Sequence, residues 1–152
     1  MKNVCVFLLF MLMFPICIAA QDKALDVRMQ YNRETKDLVF FITNKVENGI
    51  LFMNDTGGRQ GSLFWLRIYD VKEKCLLNID YIYRKNKGEY IKRFIIQPGE
   101  TITCTYNIPR LIKNSFKQME SIHKIEVEAW VMYGVRGQKK INFDILTKNF
   151  DY

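Results

Sequence analysis

Between Thr101 and Ile108 the chain changes character at every residue. Ile102, Cys104, Tyr106 and Ile108 alternate with Thr101, Thr103, Thr105 and Asn107. A period of two with one apolar and one Thr-rich side predicts a half-buried β-strand. Phe94-Ile95-Ile96 predicts another strand just before it, and Gln97-Pro98-Gly99-Glu100 predicts the tight turn between them. Proline presets φ at one central turn position, and glycine accepts the positive φ that a type II turn needs at the next.

The same punctuation recurs along the chain. Val27, Met29 and Tyr31 alternate with polar residues, then Asn32 to Asp37 reads as a turn. Leu38-Val39-Phe40-Phe41-Ile42 is apolar on both sides, which predicts a central strand. Ile50 to Met53 is a short apolar run. Leu63 to Val71, Leu76 to Tyr83 and Tyr90 to Ile96 read as further strands, with Arg84 to Glu89 as a hairpin tip. Ile125, Val127, Ala129, Val131 and Tyr133 alternate with Lys124, Glu126, Glu128, Trp130 and Met132. Ile141, Phe143 and Ile145 alternate with Asn142 and Asp144 in a last strand. Between Arg110 and His123 the period changes: Ile112, Phe116 and Met119 fit one face of a short helix. Pro109 is expected to stop the strand before it.

About eight antiparallel strands with regular turn signals and one short helix in a connection predict an all-β sandwich. The spacing resembles that of an immunoglobulin-like sandwich, and Trp65 on the third strand stands where such domains carry a core tryptophan. The second strand has no cysteine to pair with Cys104, and Tyr106 follows that cysteine instead of preceding it by two. The likeness is architectural, spans residues 21–152 and implies no activity.

The first 20 residues read differently. Lys2 supplies a positive start, Val4 to Phe14 is an unbroken apolar run, Pro15 ends it, and Ile18-Ala19-Ala20 offers a cleavage site. This predicts a secretory signal peptide over 1–20 and one domain over 21–152. The run is shorter than the roughly 20 residues of a spanning helix, so no transmembrane segment is expected after its removal. Cys17 follows Ile16, where lipidation would call for a small residue. The expected location is secreted or periplasmic.

The chain of 152 residues carries a formal charge of +7; losing Lys2 with the leader lowers this by one, to +6. A basic exported domain favours anionic partners such as acidic glycans or lipid head groups. Nothing points to sequence-specific nucleic-acid binding. After Cys5 and Cys17 leave with the leader, Cys75 and Cys104 remain. An exported compartment permits a disulfide between them, and the sequence does not show that they meet. Asn54-Asp55-Thr56 fits a glycosylation sequon.

Candidates for chemistry are few. His123 is the one histidine, and no serine lies in a G-x-S-x-G setting. Cys75, Cys104 and His123 lack metal-ligand spacing, so no metal or cofactor is expected. Gly57 to Ser62 lacks the Gly-Lys-Ser/Thr ending of a phosphate loop. Glu126 and Glu128 share one side of a strand, and paired carboxylates suit a small secreted hydrolase. Tyr81, Tyr83, Arg84, Lys85, Lys87, Tyr90, Lys92 and Arg93 interleave base and aromatic around the hairpin tip. Such a patch can bind an anionic polysaccharide, or simply keep a sheet edge from aggregating. The long loop from Lys45 to Ser62 offers a second surface, also compatible with a protease inhibitor. The reading that emerges is an exported, non-catalytic binding or adhesion-type sandwich whose partner is a protein, an envelope component or an anionic glycan.

Overall fold

The structure is a computed structural model that describes residues 23–53, 63–82, 84–85, 89–90 and 93–152. In chain order the strands are β1 (Leu25–Asn32), β2 (Asp37–Asn44), β3 (Ile50–Met53), β4 (Leu63–Tyr69), β5 (Cys75–Ile82), β6 (Arg84–Lys85), β7 (Glu89–Tyr90), β8 (Arg93–Ile96), β9 (Thr101–Asn107), β10 (Lys124–Val135) and β11 (Ile141–Asp151). All pairings are antiparallel. One sheet has the order β1-β2-β9, and β2 is central in it. The other is built on β10. One edge of β10 takes β11 along eleven residue pairs, from Lys124↔Asp151 to Gly134↔Ile141. Its other edge takes β4 over Lys124–Ala129 and β3 over Met132–Val135. β5 and β8 continue outward from β4 and β3. The predicted all-β sandwich is what forms.

Side-chain parity makes the core. Leu38, Phe40 and Ile42 of β2 and Ile102, Cys104 and Tyr106 of β9 face Phe64, Leu66 and Ile68 of β4 and every second residue of β10 from Ile125 to Val135; all are buried. Phe40, Phe64 and Tyr106 meet across the layers at ring-centroid distances of 5.1, 5.9 and 4.9 Å. Edge-on and tilted aromatic contacts of this kind stabilise by about 1 kcal/mol beyond area burial.

The Pro98-Gly99 turn forms as predicted. Gly99 has φ 73°, and the Glu100 N–H donates to the Gln97 carbonyl at 3.0 Å. The strands it joins lie in different sheets, so the turn is an arch over the end of the sandwich. Beneath it sits Asn44, the one fully buried polar residue among those described, at 1% exposure. Its Nδ2 donates to the carbonyls of Asn48 at 2.8 Å and Ile96 at 3.0 Å. Its Oδ1 accepts from the Val46 N–H at 2.9 Å. Its main chain exchanges two further bonds with the arch, to the Glu100 carbonyl and from the Gly99 N–H.

Two expectations change. The helix is α1 (Ile108–Ile112), which begins before Pro109. Proline fits the first helical turn because its missing N–H has no intrahelical partner there. Asn107 caps α1 by accepting from the Arg110 N–H at 3.2 Å. Phe116 and Met119 pack on the core from a turn and a single 3₁₀ turn over Met119–Ser121, so the helical period there reflects a coil lying over apolar surface. Cys75 and Cys104 are both free in this structure: Cys75 is exposed at the start of β5, and Cys104 is buried on β9 of the other sheet. Their strands lie in opposite layers and only one of the two side chains points between them.

β1 and β11 run alongside one another where the two layers meet. Toward their C-terminal ends the gap is closed. Tyr31 packs against Phe150 and Tyr152 at 5.7 and 6.3 Å, the Lys148 Nζ donates to the Met29 carbonyl at 3.2 Å, and Arg33 pairs with Asp151. Toward their N-terminal ends the strands splay around a cleft of about 470 Å³ floored by Val131 and Leu146, with Lys23, Asp26, Lys45 and Asp144 at its rim.

Two stability outcomes follow from these contacts. Asn44→Ala strands the Val46 N–H, the part-buried Asn48 carbonyl and the buried Ile96 carbonyl, so urea unfolding should show a loss of about 2–4 kcal/mol, one to two unmade hydrogen bonds away from water. A midpoint within about 0.5 kcal/mol of wild type would show that water replaces the amide. The Tyr31 hydroxyl is buried with no partner among the described residues. Burial, then the charges of Tyr152 and Asp37, push its pKa well above the ordinary tyrosine value. A raised folded-state pKa leaves stability intact below about pH 10 and removes it as pH climbs beyond, because only the unfolded chain ionises readily. Tyr31→Phe should therefore be neutral or more stable at pH 7 and should lessen the stability lost above about pH 10. Urea midpoints at pH 7 and 10.5 test both signs.

Candidate functional site

The basic hairpin exists as backbone: Arg84 pairs with Tyr90 and Lys85 with Glu89. β6 lies beside β9, the edge strand of the three-stranded sheet, so the hairpin backs onto an open sheet edge. Arg93 is exposed at the start of β8, opposite Met53. Tyr83, Lys87 and Lys92 lie outside the described residues, as does half of the Lys45–Ser62 stretch, residues 54–62 with Asn54; its described half is not all loop, since Ile50–Met53 forms β3; of the side chains of Tyr81, Arg84, Lys85 and Tyr90 the structure describes none. His123 is exposed between the 3₁₀ turn and β10. Among the described residues no group of three or more His, Cys, Asp or Glu is placed to hold a metal. No described helix is long and apolar enough to cross a membrane.

The structure instead draws attention to the outer face of the β10 sheet. The parity that buries Phe64, Leu66 and Ile68 turns Trp65 and Arg67 outward. Trp65 is thus no core tryptophan; Phe64 fills that role. Trp65 lies at 4.6 Å from Trp130 on β10, and Trp130 at 5.2 Å from Phe143 on β11, all near edge-on. Diagonal pairing across adjacent strands brings such large side chains together.

Around this ladder the outward face sorts by polarity. At one end, the row containing Gly134 carries Ile141, Leu51 and Ile95. Phe143 and Met132 form the next row, and Ile145 and Trp130 the third. Of six large hydrophobic residues that are exposed among those described, five lie here: Leu51, Ile95, Ile141, Phe143 and Ile145. At the other end are the carboxylates. Arg67 pairs with Glu126 and reaches Glu128 at 3.3 Å, and the Trp130 indole N–H donates to Glu128. The hydrogen bond to Glu126 pushes the Arg67 guanidinium further above its ordinary pKa. Glu126 and Glu128 therefore share one cation on a pleated sheet surface. Glycoside hydrolysis calls for two carboxyls flanking a bond, one of them offering a proton.

The hydrophobic pattern of β11 taken alone would turn Ile141, Phe143 and Ile145 inward. Pairing with β10 decides otherwise. Val131 is core-facing and stands opposite Asp144, so Asp144 points inward with it, to Lys23 at 3.3 Å and the Tyr133 hydroxyl at 3.4 Å. The sequence contains the parities of Trp65, Trp130 and Phe143, but assembling them needs the strand order and register.

Removing the shared cation should be felt. Arg67→Gln leaves two carboxylates about 7 Å apart along one strand and should lower stability by about 1 kcal/mol at low salt, as for partly exposed pairs. The loss should shrink in 1 M salt, where repulsion is screened. Urea titrations at both salt levels measure it; an equal loss at both would mean that packing of the Arg67 stem dominates.

No family model matches the chain, and no curated protein does. Among solved structures it is similar to one described as "Crystal structure of protein from Archaeoglobus fulgidus", with a TM-score of 0.32 and 9% sequence identity, over 86% of this chain and 96% of that one.

Proposed function

We propose that this is an exported, non-catalytic binding protein of adhesion type, and that its partner is another protein docked on the outer face of the β10 sheet. The observation that supports this is the gathering of five exposed large apolar side chains beside the Trp65–Trp130–Phe143 ladder. Contiguous exposed apolar surface bordered by polar residues is characteristic of interaction sites. Aromatic residues at the centre and charge at the rim match the anatomy of protein interfaces. Arg67, Glu126 and Glu128 form such a rim on one side. The carboxylates are engaged with Arg67 and Trp130, which favours binding over the hydrolase alternative.

The mature chain from Gln21, immobilised and exposed to its native extracellular or envelope fraction, tests the reading. Leu51→Lys with Ile95→Glu should cut partner capture by at least about tenfold, as loss of a buried anchor does. Lys85→Glu with Lys87→Glu should leave capture intact. The opposite pattern would move the site to the basic hairpin and overturn the proposal. Turnover of a glycosidase or esterase substrate that Glu126→Gln abolishes would overturn its non-catalytic part.

A further inference from the structure

We infer that the exposed N-terminal half of β11 is a self-pairing edge, and that two copies of this chain join there into one continuous sheet. The inference rests on the preceding reading of the outer face, since it would merge two such faces.

Among the described residues β11 pairs, strand to strand, with β10 alone. Its second half is covered by β1, through Lys148 to the Met29 carbonyl, Tyr31 on Phe150, and Arg33 with Asp151. Its first half is where β1 splays away. Among the described residues, Ile141 to Ile145 make no main-chain hydrogen bond on the side away from β10. These same residues hold the three most apolar exposed positions of the strand: Ile141, Phe143 and Ile145 are 58%, 45% and 52% exposed. Natural edge strands are guarded by lysine, proline, bulges or inward-pointing charge. This stretch has no lysine or proline, and its register with β10 runs without a bulge. Asp144 points inward, but Lys23 and Tyr133 already engage it. An unguarded apolar edge of this kind recruits another strand.

The sequence of the edge fits its own copy. Antiparallel pairing about a two-fold axis at Phe143 sets Phe143 opposite itself and Ile141 opposite Ile145 of the second copy, twice over. On the inner side the same register sets Asn142 opposite Asp144 of the second copy, an amide donor facing a carboxylate. An axis at Ile145 would instead oppose Asp144 to Leu146 and Phe143 to Thr147. A slip by one residue would oppose inward to outward side chains, which sheets do not tolerate where one face is apolar. One register thus satisfies all five positions. An identical patch meeting itself across a two-fold axis is the geometry of the commonest soluble dimers.

Sedimentation of the mature chain, over a series from about 1 to about 500 µM that covers small interfaces, should show the mass doubling. Phe143→Lys puts like charges opposite each other at the axis and should weaken association by about tenfold or more. Val71→Lys adds the same charge on a remote turn and should not. Phe143→Cys in a Cys75→Ser background should cross-link to itself on oxidation, because directly opposed Cβ atoms lie about 5 Å apart. Ile141→Cys alone should not cross-link, whereas mixed with Ile145→Cys it should. A monomer throughout the series overturns the inference, and so does a dimer that Phe143→Cys fails to trap. A monomeric result leaves the docking face to be decided by the Leu51 and Ile95 variant, so the two ideas fail separately.

Discussion

Asn44 holds the architecture at the point where its two layers exchange chain. β2 ends there in one sheet, β8 ends beside it in the other, and the Pro98-Gly99 arch carries the chain across. A buried amide is costly unless every donor and acceptor is met. Here both Nδ2 protons, the Oδ1 and the main-chain pair all have partners. Hydrophobic contact between the layers is non-directional and would tolerate sliding. Five hydrogen bonds on one residue do not. The arch, the Val46–Asn48 turn and the ends of both sheets are thereby fixed relative to one another.

With that corner set, β10 organises the rest. Its alternate residues from Ile125 to Val135 are all buried, and strands line both of its edges. β3 and β4 pair with it end to end on one edge, and β8 and β5 follow them outward. Met53 of β3 and Ile82 of β5 thus end their strands at neighbouring levels of this sheet, as Leu63 and Arg93 begin theirs. Trp130 and Val131 lie on β10 between the two paired blocks. Trp130 is held there from both sides, by Trp65 of β4 and Phe143 of β11.

Much of this was legible in residue order. The alternation from Thr101 to Asn107 forms a strand as read, Leu38 to Ile42 proves central, and Gly99 takes the positive φ its turn needs. The errors of sidedness share one cause. Leu63-Phe64-Trp65-Leu66 is apolar at both parities, so local pattern cannot say which set is core; Arg67 breaks the tie, because it shares parity with Trp65. In β11 the more apolar set lies outside, because Val131 and Tyr133 of the neighbouring strand impose their own inward direction on Asp144 and Asn142. Periodicity describes a strand in isolation, whereas sidedness belongs to the pair. The Arg67–Glu126–Glu128 cluster and the ladder were out of reach for the same reason, since each spans strands far apart in sequence.

The closed end of the β1–β11 gap joins residues 119 apart, Lys148 and Met29. Contacts of such long sequence separation form only after a large loss of chain entropy, which slows folding. Until the last eleven-residue strand is available, β10 presents a bare edge along almost its whole length. A growing chain that has β1 to β10 but not β11 thus has one edge of its longest strand unprotected. Synthesis from the N-terminus makes β11 the last of the described strands to appear, so the long edge of β10 is covered only once the chain has been made through Asp151.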